Sequence, residues 1–121
     1  MKKNLILILM ITGSSLFAQK LDLLETKDQV VERAKMELDE AMKPPEGSIY
    51  LFAQKNNIVG EYTFDVTVHE KGIVATVFVV GNKDGDIKAQ NKLKDFIYAF
   101  KFKFKMPKGK SYKFQYVFVF K

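Results

Sequence analysis

The chain has no cysteine, one histidine, three prolines and seven glycines in 121 residues. Without cysteine there can be no disulfide scaffold, no thiol nucleophile and no acylated cysteine at a mature N-terminus, so packing alone must hold the fold. The single histidine, His69, has neither a second histidine nor a cysteine to complete a metal site, and it reads as an exposed residue next to a turn. Asp84, Gly85 and Asp86 suggest a calcium loop only faintly, because the run of oxygen ligands ending in glutamate is missing; they read as a turn and a helix cap. Glu61 and Asp65 share a strand face, but nothing around them suggests the substrate groove of a two-carboxylate hydrolase. The expectation is therefore of no enzyme, no catalytic residue, no metal and no cofactor.

Hydrophobic residues make up 47% of the chain and charged residues 28%, values that suit one folded domain with a core. The first residues follow the plan of an export signal: basic Lys2 and Lys3, apolar residues 5–11, then the small-residue region 14–18. Residues 1–18 are expected to be a signal peptide cleaved after Ala18, since an apolar stretch of that length is shorter than the ~20 residues that span a bilayer. The expected location is thus periplasmic or secreted. Charge is uneven. Residues 19–54 carry eight acids against five bases, or −3, whereas residues 55–121 carry thirteen bases against six acids, or +7. Such polarity steers anionic partners toward the C-terminal half without naming one.

Residues 22–43 read as an amphipathic helix with Leu24, Val31, Ala34, Leu38 and Ala41 on its apolar stripe, ended by Pro44 and Pro45. The aromatic and aliphatic content of residues 48–53 suggests a short strand. From Tyr62 the alternation is strict: Tyr62, Phe64, Val66 and Val68 on one face, Thr63, Asp65, Thr67 and His69 on the other. Glu70, Lys71 and Gly72 form a three-residue hairpin connection. The nearly continuous apolar residues 73–80 suggest a central strand covered on both faces. Asp86 is placed to cap a helix carrying Ala89, Leu93, Phe96, Ile97 and Phe100, and residues 100–105 alternate Phe with Lys in extended fashion. The last strand puts Tyr112, Phe114, Tyr116, Phe118 and Phe120 on one face and Lys113, Gln115, Val117, Val119 and Lys121 on the other. The fold class expected is α+β: an N-terminal amphipathic helix and linker over residues 19–47, then a small antiparallel sheet with one packed helix, ββαβ, over residues 48–121.

The order strand, glycine turn, strand, helix, Phe-Lys-Phe-Lys-x-Pro and aromatic final strand resembles the C-terminal domain of TonB-type energy transducers. The resemblance spans residues 60–121 and rests on Phe64, Val66, Val68, Gly72, Val74, Val77, Val79, Leu93, Ile97, residues 102–107 and Gly109. It implies a periplasmic interaction domain whose sheet edge takes up an extended segment of an envelope protein, in that family an outer-membrane transporter. Free backbone groups at an edge supply affinity and alternate side chains supply selectivity. Carried onto this chain, the resemblance makes the last strand the candidate edge and Lys113, Gln115, Val117 and Val119 its partner-binding residues. A transducer also has a membrane anchor and a Pro-rich spacer. The cleavable leader and the lone pair Pro44 and Pro45 lead instead to the expectation of a free TonB-like domain.

Two other readings stand beside this one. Lys101, Lys103, Lys105, Lys108 and Lys110 form a candidate basic face for lipid headgroups or envelope polysaccharide, while the export signal argues against a nucleic-acid partner. The amphipathic helix could alternatively pair with its copy in a homodimer, making the protein a structural, oligomeric component of the envelope.

Overall fold

A computed structural model describes residues 21–121. The expected signal peptide at residues 1–18 lies outside the described residues. The elements are β1 (Asp22–Leu23), α1 (Lys27–Met42), α2 (Ser48–Lys55), β2 (Gly60–His69), β3 (Ile73–Lys83), α3 (Ile87–Tyr98), β4 (Phe104–Lys105) and β5 (Ser111–Phe120). The class is α+β. A three-stranded antiparallel sheet runs in the order β3-β2-β5, and a two-residue parallel pair joins β1 to β4.

Thr26 starts α1 by a reciprocal cap. Its side chain accepts a hydrogen bond from the Gln29 amide, and the Gln29 side chain accepts one from the Thr26 amide, satisfying donors that no earlier turn can reach. The helix therefore begins at Lys27 and not at Asp22, which is held in β1. Val30, Ala34, Leu38 and Ala41, spaced by fours and threes, are its buried stripe, and Val30 takes the place expected for Val31.

Residues 48–53 are helical, which corrects the expected strand. A strand would place Ile49, Leu51 and Ala53 on one face. Here Ile49 and Ala53, four apart, are buried while Leu51 is exposed, and the Phe52 ring stacks on Phe96 with centroids 4.2 Å apart. Short apolar segments fit either period, and tertiary packing decides.

The centre of the sheet is β2, not β3. All ten residues of β2 pair with β5 and nine of them also pair with β3. Between Thr67 and Val68, and again between Thr63 and Phe64, the β2–β3 register shifts, leaving Ala75 and Val80 as extra residues on β3. Each bulge resets the alternation, so the residues opposite the inward side of β2 are Val74, Val77, Val79 and Asn82, spaced three, two and three apart; Val74 and Val77 are buried, while Val79 is exposed. That reset explains why an edge strand reads as continuously apolar. Outward Phe78 and the bulge residue Val80 are exposed.

Helices cover one face of the sheet only: α1 crosses β5 and α3 crosses β3. Tyr62, Phe64, Val66 and Val68 of β2 are fully buried beneath them with Phe118, Leu93, Ile97 and Leu38 in one continuous core. The core includes α1, so the helix belongs to the same domain as the sheet. Asp86 caps α3, its carboxylate accepting from the Ala89 amide at 2.7 Å. After α3 the chain alternates as the sequence suggests, with Phe102, Phe104 and Met106 buried and Lys101, Lys103 and Lys105 exposed.

Candidate functional site

Two surfaces hold the residues that the sequence singles out. The first is β5. Its pairing with β2 runs without a register break from Gly60 opposite Phe120 to His69 opposite Ser111, and among the described residues no strand lies on its other side. The β2–β3 turn determines which of its backbone groups are free. There the Gly72 amide donates to the His69 carbonyl at 3.0 Å, so the backbone groups of His69 face β3. Backbone groups alternate sides along a strand, which turns those of Val68, Val66, Phe64 and Tyr62 toward β5. Their register partners Tyr112, Phe114, Tyr116 and Phe118 turn back to meet them. Lys113, Gln115, Val117 and Val119 are left presenting N–H and C=O groups outward.

The side chains of these four residues are exposed and lie on the sheet face that the helices leave open. Cross-strand rows define that face: Lys113 beside Thr67 and Thr76, Gln115 beside Asp65 and Phe78, Val117 beside Thr63 and Gly81, Val119 beside Glu61 and Lys83. The Gln115 side-chain amide donates to Asp65 at 3.1 Å. Asp65 thus serves a cross-strand hydrogen bond, in a separate row from Glu61. His69 is half-buried in the last row beside Ser111 and Ile73.

On the covered face of β5, Tyr116 fixes α1 to the strand: its hydroxyl donates to the Asp39 carboxylate. Burial, reinforced by the bond to Asp39 and its negative charge, pushes the phenol well above its ordinary pKa. Burial likewise raises Tyr62, with a smaller push from the Asp86 charge, and its hydroxyl donates to the Val59 carbonyl. Both groups hold the covered layer together.

The second surface is basic. Lys101, Lys103, Lys105, Lys108 and Lys110 are all exposed. Hydrogen bonds to the β2–β3 hairpin and to α1 hold the backbone beneath them. The Phe102 amide donates to the Gly72 carbonyl at 2.9 Å, and Met106 donates to the Glu70 carbonyl at 2.7 Å. The Lys103 amide donates to the Glu37 carboxylate at 2.8 Å, while Arg33 donates to the Lys103 carbonyl at 3.0 Å. Finally, the Gly109 amide reaches the Glu70 carboxylate at 2.9 Å, tying the turn that carries Lys108 and Lys110 to the β2–β3 hairpin. Sequence periodicity does not reveal Arg33 and Glu37 as supports of this segment, because the contacts cross 70 and 66 residues.

The amphipathic helix has its apolar stripe turned inward. Leu38 is fully buried against its own domain and is unavailable as a dimer contact, leaving Met36 as the large apolar side chain that α1 exposes. Beside Met36 a groove of about 860 Å³ runs between α1 and the end of α3, lined by Phe96, Phe100, Glu40 and Lys101 among others. Among the described residues, no group of three or more His, Cys, Asp or Glu side chains is arranged to hold a metal. No described helix is long and apolar enough to cross a membrane.

Compared with protein-family models, with curated proteins and with solved structures, the chain has no match.

Proposed function

We propose that the protein is an exported, TonB-like interaction domain that binds an extended segment of an envelope protein by adding it as a strand to β5. The carrying observation is the difference between the two sheet edges. β5 offers ten residues in unbroken register and four alternate residues with outward backbone groups. The other edge, β3, has two bulges, and its first residue is bridged by Lys101. Bulges are a common means of keeping an edge from pairing, so β5 is the edge better suited to receive a strand.

With the two-residue β4 set aside, the chain order β2, β3, α3, β5 agrees with the strand-strand-helix-strand order of the TonB-type resemblance, which is what supports this reading. Val117 and Val119 would meet apolar side chains of the incoming segment on the open face, and Lys113 would select an acidic one. An outer-membrane transporter is the partner class that the resemblance supplies.

The test is in-cell photocrosslinking from position 117, with position 78 on β3 as control. Strand addition predicts a discrete crosslinked protein from position 117 that disappears when Gln115 is replaced by proline. An undiminished product in a folded Gln115→Pro variant, or the same product from position 78, overturns the reading.

A further inference from the structure

The basic segment after α3 is built in a way that a merely solvated run of lysines does not require. The described ion pairs are Arg33 with Asp22, Arg33 with Glu37 and Lys43 with Glu40; none involves Lys71, Lys101, Lys103, Lys105, Lys108 or Lys110. These six exposed cations, like the other described lysines except Lys43, lack a carboxylate partner among the described residues; what sets them apart is that they sit on backbone fixed by the bonds to Gly72, Glu70 and Glu37. Lys71 belongs to this group because its hairpin packs directly on the segment: a Cβ placed on Gly72 would lie 2.5 Å from the Phe102 carbonyl.

Two further observations narrow the partner. The aromatics between the lysines, Phe102 and Phe104, are buried in the core and unavailable to stack on bases. That removes the feature by which basic, aromatic-rich surfaces hold single-stranded nucleic acid. Two members of the row also have an exposed apolar neighbour in register: Leu23 opposite Lys105, 51% exposed, and Ile73 opposite Lys101, 42% exposed. A soluble polyanion has no use for such residues. A lipid surface does, because lysines meet the headgroups while flanking aliphatic side chains enter the interface.

We infer that Lys71, Lys101, Lys103, Lys105, Lys108 and Lys110, flanked by Leu23 and Ile73, dock the protein on an anionic lipid bilayer. The surface uses none of the four β5 residues that present outward backbone groups, although Lys110 directly precedes Ser111 at the start of that strand.

Vesicle co-sedimentation tests this, using the chain from Gln19, which contains every described element and omits the expected leader. Phosphatidylcholine vesicles with and without phosphatidylglycerol are compared between about 0.1 M and 1 M salt, over which the screening length falls from roughly 10 to 3 Å. Binding is expected only with phosphatidylglycerol and only at the lower salt. At roughly 1 kcal/mol per lysine near such a surface, the triple change K101Q/K103Q/K105Q should weaken it on the order of 100-fold. Changing Lys35, Lys88 and Lys92 to Gln removes the same charge elsewhere and should have little effect. Leu23→Ser with Ile73→Thr should cost about ten-fold in vesicle binding but nothing toward soluble polyphosphate. No dependence on phosphatidylglycerol, equal loss in both lysine triples, or indifference to the aliphatic changes would each overturn the proposal. The salt and lipid dependence of the unaltered protein decides the matter even if a variant folds poorly.

Discussion

Proline substitution along β5 tests the assignment of its backbone groups residue by residue. At Gln115 the amide points away from β2, so proline removes a group that bonds only to solvent. At Tyr116 the amide points into the β2 ladder opposite Phe64, and proline both deletes that bond and leaves an acceptor unpaired. Comparing each proline with alanine at the same site cancels the lost side chain, including the Tyr116 bond to Asp39. The backbone difference at Tyr116 should then be about 2 kcal/mol or more, from one lost ladder bond and one unsatisfied carbonyl. At Gln115 it should stay within about 1 kcal/mol, because only the fixed φ of proline is imposed on an extended residue. Urea unfolding followed by far-UV circular dichroism is suitable, since the chain has no tryptophan to report by fluorescence. Equal backbone penalties at the two positions would refute the outward assignment, and with it the choice of Lys113, Gln115, Val117 and Val119 as the residues offering free bonds.

Three other outcomes follow from the packing. Gly72 has φ +74°, and a Cβ there would meet the Phe102 and Phe104 carbonyls at 2.5 and 2.7 Å; Gly72→Ala should lower stability by about 2 kcal/mol or more in the same assay. Leu38→Ala should cost about 2–5 kcal/mol as a core truncation and leave the sedimentation-derived mass unchanged, whereas a dimer through this helix would dissociate. Tyr116 contributes stability that is fully present below its unfolded pKa, near pH 10, and is lost as pH rises toward its higher folded value, because above pH 10 the unfolded chain releases the proton first. Tyr116→Phe should therefore flatten the alkaline fall in melting temperature, leaving the smaller part due to Tyr62.

Much of the chain could be read from period alone. The strict alternation from Tyr62 to His69 marks β2, because its inward residues are wholly covered and its outward ones face the open side. The Phe-Lys alternation of residues 100–105 likewise matches its burial. Besides the start of α1 and the exchange of Val31 for Val30, two readings differ from the structure for physical reasons. Residues 48–53 are rich in strand-forming side chains, yet burial of Ile49 and Ala53 against the core selects the helix. Residues 73–80 look like a central strand because two bulges break the alternation that would mark an edge. The candidate edge was legible as a row of alternate residues, Lys113 to Val119. Its free backbone groups were not, since they depend on strand order and on the direction of one turn bond. The anchors of the basic segment, Arg33 and Glu37, were hidden by sequence separation.

Amide hydrogen exchange at β5 tests strand addition most directly. It is measured on the free protein and on its complex with the protein recovered by crosslinking from position 117. Strand addition predicts that the amides of Lys113, Gln115, Val117 and Val119 exchange readily in the free domain and become protected in the complex, while those along the outer side of β3 do not change. A stable complex in which these four amides exchange as fast as before would contradict it.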